Sequence, residues 1–550
     1  MAQRTKTRRE RSRDLATTAR STTAKGTVSR RAFLASVAAA AASAALAPYA
    51  LAGEPVRSGS RGNTFILPVN GDPYRWPFAP AIPNILFNKT LYSSLIKYDL
   101  DGVTPVPDLA ESWSSPDVKI WTFKLRRDVK WHDGKPFTAE DVKFTFDAML
   151  DPKVNKTNIG ALVTLKRTDV VDPHTVRLTF DEPLASLPVG LGWLIFILPK
   201  HLLAGTDLNK PTEFLKSPIG TGPFKFKEFI SGDHTTVVPN PDYFGEKAKV
   251  DAVIFKQIPD LNTQVAQVLT GELDIAFPEV QQLDALKNAA NIEIKYMTPI
   301  QYFFIGLNNR NPLFADKRVR QALAYAVDRK AILDSAVQGK AIPATGPIHP
   351  AIKWAYNPDV KKYPYDANKA KELLAEAGWK PGAGGILTKD GKPFSFTITS
   401  TSVNATRQQI NVALQQYYKR VGVETKLEFL EPNLFDQKFF AFQFDCMMHF
   451  SQLFPDPDLI NYFGTGKRNN YFGYSNPEVD KLLEQGRATT DQQKRAAAYK
   501  KFQEIVAEDV PVVFFYHPQE IDVVNRRVQN YPPLDYRNAT LYLNRISLAK

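Results

Sequence analysis

The sequence predicts an α/β protein with more than one lobe. Segments with the period of strands and segments with the period of helices alternate from residue 63 to the C-terminal region, and no internal repeat of fixed period is present. The length of 550 residues suffices for two or three hydrophobic cores. A composition of 43% hydrophobic and 23% charged residues excludes a disordered or fibrous chain for most of this length.

The elements follow one another along the chain with recognisable start and stop signals. Thr138 and Asp141 have the spacing of a capping box before a helix with apolar residues on one face. Gly271 and Gly378 each follow a helical segment, as expected of a C-terminal glycine. Strands are predicted at 63–69, 120–125, 224–229, 273–277, 425–429, 445–449 and 512–516, and helices at 84–96, 262–270, 317–333, 367–377 and 496–507.

The first 52 residues predict an export signal. They hold ten basic and two acidic side chains, a net charge of +8 out of the total of +13. Arg30 and Arg31 precede an alanine-rich apolar run, and residues 50–52 (ALA) have the small-x-small pattern of a cleavage site. The adjacent arginines favour a twin-arginine signal that is removed from a periplasmic protein. The alternative is that the run 33–51 stays as a membrane anchor.

The charge of the remaining chain argues against a nucleic-acid partner. Outside the leader, a net charge of only +5 is spread over 498 residues. A basic patch large enough to bind a phosphate backbone is therefore not predicted.

The sequence lacks the motifs of the common enzyme and metal-site classes. Its seven histidines are dispersed, with no two within one helical turn, and Cys446 is the single cysteine, so we expect no metal and no cofactor. Phosphate-loop, nucleophile-elbow and dinucleotide-binding motifs are missing, and Pro223 directly after residues 220–222 (GTG) favours a structural turn. The acidic pairs at 140–141 and 456–458 are interpreted as residues at helix N-termini. We predict a protein that is not an enzyme, with a secreted hydrolase as a remote alternative.

Eight segments resemble the family 5 extracellular solute-binding proteins, which are the dipeptide-, oligopeptide- and nickel-binding receptors of ABC importers. In this order they extend over essentially the whole chain after the leader. They are 109–113 (LAESW), 121–126 (WTFKLR), 131–142 (WHDGKPFTAEDV), 220–224 (GTGPF), 314–322 (FADKRVRQA), 326–329 (AVDR), 371–378 (KELLAEAG) and 456–458 (DPD).

The resemblance implies a two-lobed periplasmic-binding-protein fold of type II, with an extra third lobe and a two-strand hinge. Lobe I would comprise 54–91, 216–300 and 508–550, the extra lobe II 92–215, and lobe III 301–507. A small-molecule solute would be enclosed between lobes I and III by hinge closure and delivered to an ABC permease in the inner membrane. We expect a periplasmic monomer.

By the same resemblance, the pocket is lined by three stretches, at 70–83, 301–309 and 450–454. We interpret the Trp113, Trp121 and Trp131 side chains of the family-like segments as core residues instead. The predicted ligand-binding residues are Tyr74, Trp76, Tyr302, Phe303, Phe450, Ser451, Gln452, Leu453 and Phe454.

Position 453 leaves two classes of solute open. Peptide-binding members resemble one another in an aspartate three positions before the acid of the Asp-Pro-Asp turn, which pairs with the peptide's ammonium group. This chain has Leu453 there, and a buried ammonium without a carboxylate is costly. The solute is then either a peptide or peptide-like molecule, with Asp72 or Asp456 supplying the acid, or a sugar, an opine-type conjugate or another neutral organic molecule.

Overall fold

The computed structural model describes residues 62–72, 76–78, 82–155, 162, 164–452, 455–532 and 540–549. The predicted export signal and three predicted site residues, Tyr74, Leu453 and Phe454, lie outside this part of the chain. Within it, no helix combines the length and the apolar character needed to cross a bilayer. The alternation of helices and strands confirms the predicted α/β class.

The strands and helices are numbered in chain order. The strands are Thr64–Val69 (β1), Ile96–Tyr98 (β2), Pro105–Pro107 (β3), Ala110–Ser114 (β4), Ile120–Leu125 (β5), Leu165–Asp172 (β6), Thr175–Phe180 (β7), Phe224–Ile230 (β8), His234–Pro239 (β9), Ala252–Gln257 (β10), Ile275–Ala276 (β11), Ile292–Met297 (β12), Gln301–Leu307 (β13), Ala341–Pro343 (β14), Lys380–Pro381 (β15), Leu387–Lys389 (β16), Lys392–Pro393 (β17), Ser395–Thr401 (β18), Glu424–Leu430 (β19), Cys446–Gln452 (β20), Val512–Pro518 (β21), Glu520–Asn525 (β22), Val528–Gln529 (β23) and Ser547–Leu548 (β24). The helices are Ile82–Leu91 (α1), Ala139–Leu150 (α2), Leu187–Leu194 (α3), Lys200–Leu203 (α4), Thr212–Lys216 (α5), Leu261–Leu269 (α6), Leu283–Leu286 (α7), Lys317–Tyr325 (α8), Arg329–Ala336 (α9), Ala367–Glu376 (α10), Ala405–Arg420 (α11), Pro432–Phe440 (α12), Ile460–Phe463 (α13), Pro477–Arg487 (α14) and Gln492–Asp509 (α15).

Two four-stranded sheets share one hydrophobic core in the first half of the chain. One has the order β1-β10-β9-β8, with β1 parallel to β10, and the other is β4-β5-β7-β6. Alternate residues of β1, such as Phe65 and Leu67, enter the core, and Val142 and Phe146 on one face of α2 enter the same cluster. The Thr138–Asp141 capping box at the start of α2 is present as predicted.

A six-stranded sheet with the order β14-β21-β13-β20-β18-β19 organises the second half. Every residue of β13 is buried, because this strand is central and the sheet has a hydrophobic core on each face. The predicted helix 317–333 is two helices, α8 and α9. The helix is interrupted before Asp328, because the side chain of this residue caps α9 and accepts a hydrogen bond from the backbone N–H of Ala331 at 3.0 Å.

The chain passes twice between this sheet and the three-stranded sheet β11-β22-β12. The first passage leads from β12 to β13 through residues 298–300, and the second leads from β21 to β22 through Gln519. The boundary predicted at residue 508 lies before β21, whereas the second passage follows this strand. Because β21 pairs with β13, with Val513 opposite Ile305, residues 512–518 belong to the six-stranded sheet and the passage lies at 519.

The family-like segments 131–142 and 220–224 meet in a close backbone contact. His132 accepts a hydrogen bond at Nδ1 from the Gly220 N–H at 3.1 Å, and its Nε2–H donates to the Gly222 carbonyl at 3.1 Å. The Gly222 N–H donates to the Leu91 carbonyl at 2.8 Å. These segments thus build the fold and lie away from the ligand cleft described below, as the sequence analysis expects of a structural turn.

We expect Gly220→Ala to destabilise the protein by about 3 kcal/mol or more. A Cβ at this position would lie 1.8 Å from the Leu91 carbonyl oxygen, and backbone atoms cannot rotate away. Urea unfolding measures the loss. Gly346→Ala is the control, since nothing lies within 4 Å of its added Cβ. Equal stability of the two variants would contradict the packing argument.

We expect His132 to make stability depend on pH between about 6.5 and 4. Burial lowers the pKa of His132 to about 4, whereas the histidine of an unfolded chain titrates near 6.5. Over this range the unfolded chain binds the proton and the folded chain does not, so the free energy of unfolding falls by about 3 kcal/mol as the pH decreases. His132→Gln should remove this contribution in unfolding experiments at pH 7 and pH 4.5. The contributions of His349, His449 and His517, whose pKa values burial also lowers, should remain. An unchanged slope would contradict the assignment.

Candidate functional site

A cavity of about 390 Å³ lies beside the two passages of the chain. One wall comes from the carboxyl end of β1 and from residues 277–281, the other from β13, the end of α9 and the first turn of α11, and the second passage lies between them. The lining residues are Pro68, Val69, Asn70, Phe277, Pro278, Glu279, Val280, Gln281, Phe303, Val337, Lys340, Asn404, Thr406, Tyr516, Pro518, Gln519, Glu520, Ile521 and Asp522. We call this cavity the cleft.

Position rather than size selects the cleft as the candidate site. A larger cavity, of about 520 Å³, is lined only by residues between 324 and 365 and between 506 and 514, on one side of the passages. The cleft has walls on both sides, so a ligand in it would contact both. Its volume falls within the range of roughly 300–1,000 Å³ typical of small-molecule sites.

An aromatic surface forms part of one wall. The rings of Phe303 and Tyr516 are stacked, with centroids 4.6 Å apart and an interplanar angle of 4°. Phe450 lies opposite Phe303 in the sheet, and their ring centroids are 5.7 Å apart. This cross-strand arrangement gives a rigid apolar surface without additional ordering cost.

Arg407 lies on this aromatic surface. Its guanidinium carbon is 5.1 Å from the centroid of Phe303 and 4.9 Å from that of Phe450, within the range of cation–π contacts. Asn404 caps α11 by accepting a hydrogen bond from the Arg407 backbone N–H at 2.8 Å, which places the side chain in the first helical turn. Burial lowers the pKa of Arg407, but a guanidinium remains charged at neutral pH.

Among the described residues, four charged ones line the cleft: Glu279, Lys340, Glu520 and Asp522. Glu279 is exposed and Glu520 is half-buried. Asp522 is buried and accepts a hydrogen bond from the Tyr531 hydroxyl at 2.7 Å. The Lys340 ammonium lies 4.3 Å from the ring centroid of Tyr296.

Comparison with known proteins assigns the chain to a family. The family described as bacterial extracellular solute-binding proteins, family 5, matches residues 104–472 through its middle region. The chain belongs to the family 5 solute-binding proteins. It is a two-lobed solute-binding receptor of an ABC importer, as the resemblance of its motifs predicted.

Individual relatives share most of the chain. It is 33% identical over 453 residues to the oligopeptide-binding protein AppA of Bacillus subtilis, covering 80% of this chain and 83% of that protein. The structure of this AppA in complex with a nonapeptide has a TM-score of 0.75 and 31% identity, covering 89% of this chain and 99% of the other. The structure of NikZ from Campylobacter jejuni in complex with Ni(L-His) has a TM-score of 0.76 and 29% identity, covering 88% and 99%.

The predicted site residues of this family 5 receptor divide between two faces of the six-stranded sheet. Phe303 lines the cleft, whereas Tyr302 and Ser451 line a separate cavity of about 60 Å³, together with Phe450. Strand geometry separates Phe303 from Tyr302, because consecutive side chains point to opposite faces. Phe450 contacts the Phe303 ring and also borders the smaller cavity. Burial raises the pKa of the Tyr302 hydroxyl, which also hydrogen-bonds to Ser451.

Two further predicted residues have other surroundings. The Trp76 ring is buried in the core, 5.3 Å from Phe78 and 5.9 Å from Phe214 between centroids. This indole packs within the core and is not among the described residues that line the cleft. Gln452 pairs through its backbone with Gln301 at the end of β20, and its side chain lies outside the described part of the structure.

The two acids considered as substitutes for a carboxylate at position 453 are engaged elsewhere. Asp456 forms a buried bidentate ion pair with Arg495, at 2.7 and 2.9 Å. Burial alone would lower the pKa of Arg495, and the adjacent Asp456 raises it. Asp72 accepts hydrogen bonds from the Ser231 hydroxyl at 2.6 Å and the Gly232 N–H at 2.9 Å, within the β8–β9 turn.

The Asp-Pro-Asp motif therefore has a structural role beyond the helix N-terminus predicted for it. Asp458 accepts a hydrogen bond from Ser186 at 2.9 Å and pairs with Arg487 at 3.4 Å, and Arg487 also contacts Glu182 at 3.0 Å. Through these bonds the motif joins segments that are about 300 residues apart in the chain.

Sequence analysis missed Arg407 and Tyr516 as site residues. Arg407 looks like an ordinary basic residue in the first turn of a helix, and Tyr516 lies in an apolar strand. Only the sheet order, with β21 and β20 on either side of β13, brings both side chains to Phe303. The local sequence signal is Asn404, a helix-capping residue type that indicates a helix start and so places Arg407 in the first helical turn.

We expect Asp456→Asn to reduce the free energy of unfolding by about 3–5 kcal/mol, because it leaves a buried guanidinium without its partner. Chemical unfolding measures the loss, and Asp284→Asn, which breaks the exposed pair with Lys287, should show no measurable change. Loss of solute binding by Asp456→Asn at full stability would instead identify Asp456 as a ligand residue.

Proposed function

We propose that this receptor captures a peptide or peptide-like solute in the cleft by hinge closure and delivers it intact to its membrane permease. The observation that carries the proposal is a cavity with walls on both sides of the two chain passages. A solute that contacts both walls binds the closed form more tightly than the open form, and this difference in affinity shifts the population toward closure.

The chemistry of the cleft supports a peptide. Stacked Phe303 and Tyr516 provide apolar area, while Glu279, Glu520 and Lys340 provide charges of both signs. A peptide carries an ammonium group, a carboxylate and apolar side chains, so each of these surfaces has a counterpart. The similarity to AppA, whose structure holds a nonapeptide, agrees with this assignment.

The passages have the form that a hinge requires. Only residues 298–300 and Gln519 connect the two sheets, so rotation of a few backbone dihedrals would move one lobe against the other. We propose lobe I as 54–91, 216–300 and 519–550, lobe II as 92–215 and lobe III as 301–518. The packing of Val524, Val528 and Leu543 into the core of β1 and β10 supports the return of the chain to lobe I.

The remaining sequence predictions belong to the same proposal. Residues 1–52 would direct export by the twin-arginine route and be removed, and the mature receptor would act as a monomer. A receptor of this kind binds one solute per chain and catalyses no reaction, in contrast to a hydrolase. The peptide would therefore be recovered unchanged from the complex.

We expect native mass spectrometry of the protein from residue 53 onward to detect peptides bound one per chain, and small-angle scattering to show that binding makes the protein more compact. Thr406→Trp should abolish binding, because the indole would fill the cleft. The control is Gln409→Trp, which places the same side chain at an exposed position of the same helix.

Three outcomes would contradict this proposal. Binding of a sugar or another neutral organic molecule in place of peptides would assign the other solute class. Hydrolysed peptide would indicate an enzyme. Unimpaired peptide binding by Thr406→Trp would place the site outside the cleft.

A further inference from the structure

Arg407 is a half-buried cation without a counter-ion among the described residues. Among the described residues, its guanidinium takes part in no hydrogen bond and no ion pair, and its Nε is buried without an acceptor. The acid whose charge influences it, Asp436, forms no ion pair with it. Other buried arginines of the same lobe have acceptors, such as Asp456 for Arg495 and the Asp509 carbonyl for Arg320.

Such a group is costly unless something satisfies it. A buried donor without an acceptor loses its interaction with water, and a charged donor loses more than a neutral one. The two rings beneath the guanidinium attract the cation but accept no conventional hydrogen bond. The structure therefore leaves the N–H groups along the edge of the guanidinium for an acceptor that the described residues do not supply.

The geometry determines which kind of acceptor fits. The guanidinium carbon lies over the rings of Phe303 and Phe450, and Phe303 lines the cleft, so the guanidinium lies beside the cleft. A carboxylate matches the edge of a guanidinium with two parallel hydrogen bonds. Asn404 and Thr406, which precede Arg407 in the chain, line the cleft.

A second observation marks the same helix face as polar and incomplete. Asn411 follows Arg407 by one helical turn and is completely buried, and neither atom of its amide group has a partner among the described residues. Two polar side chains without hydrogen-bond partners among the described residues thus lie one turn apart on α11.

The acidic residues across the cleft from Arg407 indicate how the solute is oriented. Glu279 and Glu520 line the cleft on the lobe I side and at the hinge. On the lobe III side Arg407 lies over Phe450 of β20, and position 453, three residues after Phe450 in the sequence, is a leucine rather than an acid. Lobe III thus presents a cation where an ammonium group would need an anion.

From these contacts we infer that Arg407 binds a carboxylate of the solute, so that the carboxylate end of the peptide or peptide-like molecule faces lobe III and its ammonium end faces Glu279 and Glu520. The assignment rests on the proposed function for the location of the solute. It makes Arg407 the specificity-determining residue of the cleft and selects solutes that carry a free carboxylate.

The test uses a pentapeptide library without Asp or Glu, prepared as free acid, as C-terminal amide and as N-acetylated free acid. Binding to the protein from residue 53 onward is measured by competition in native mass spectrometry and by calorimetry. We expect the wild type to prefer the free acid over the amide by about 10- to 100-fold. We expect N-acetylation to weaken binding in the wild type and in Arg407 variants by the same factor.

Arg407→Gln should bind the free acid only as well as the amide, with the affinity for the amide unchanged. Arg407→Lys keeps the charge but cannot form two parallel hydrogen bonds, so it should retain a reduced preference for the free acid. This variant replaces Arg407→Gln in the test if Arg407→Gln folds poorly. Arg420→Gln is the control, because this arginine lies over Tyr417, at 4.7 Å, in the last turn of the same helix. It should retain the full preference of the wild type.

The inference is overturned if Arg407→Gln keeps the preference of the wild type, or if the wild type binds acid and amide equally. Peptide amides that contain Asp or Glu test for recognition of a side-chain carboxylate. If the wild type binds them more tightly than the amides without Asp or Glu, and Arg407→Gln does not, Arg407 binds the side-chain carboxylate. If no peptide binds in any form, the proposed function fails. The pairs benzoate and benzamide, and phenylacetate and phenylacetamide, then decide: a preference for the acids that Arg407→Gln abolishes supports the inference, and no preference overturns it.

Discussion

The double passage of the chain between two sheets is the constraint on which the rest of the structure depends. The strands β13 and β21 are paired with each other, and the strands β12 and β22, which follow them across the passages, are paired as well. Because the two connections are short and join paired strands, they allow one lobe to rotate against the other and restrict other relative motions. The cleft lies beside these connections, so any solute in it contacts groups from both sides.

The charged groups of the described chain fall into two kinds with different consequences. Asp456, Asp458, Arg487 and Arg495 satisfy one another and join distant segments, so they stabilise the receptor without being available to a solute. Arg407 has no such partner. Cation–π contacts with Phe303 and Phe450 are the interactions that the described residues offer its guanidinium.

Much of the fold could be predicted because its signals are local. The capping box at Thr138, the strand Ile120–Leu125 and the glycine after α6 depend on neighbours within a few residues, and the structure contains each of them. The interruption between α8 and α9 and the boundary at Gln519 were missed. The former depends on a single competing cap, and the latter on strand pairing over about 200 residues, which no local pattern reports.

The sequence by itself determined the family, the α/β class and the receptor role, because ordered motifs and the absence of catalytic ones are properties of the chain alone. The tertiary structure decided which side chains meet. It placed Phe303 and Tyr516 in the cleft and Tyr302 in a separate cavity, packed Trp76 into the core, paired Asp456 with Arg495, and set Arg407 over the Phe303 ring. The physical reason is that a ligand site is assembled across sheet neighbours, whose order is set by long-range pairing and packing rather than by residue spacing.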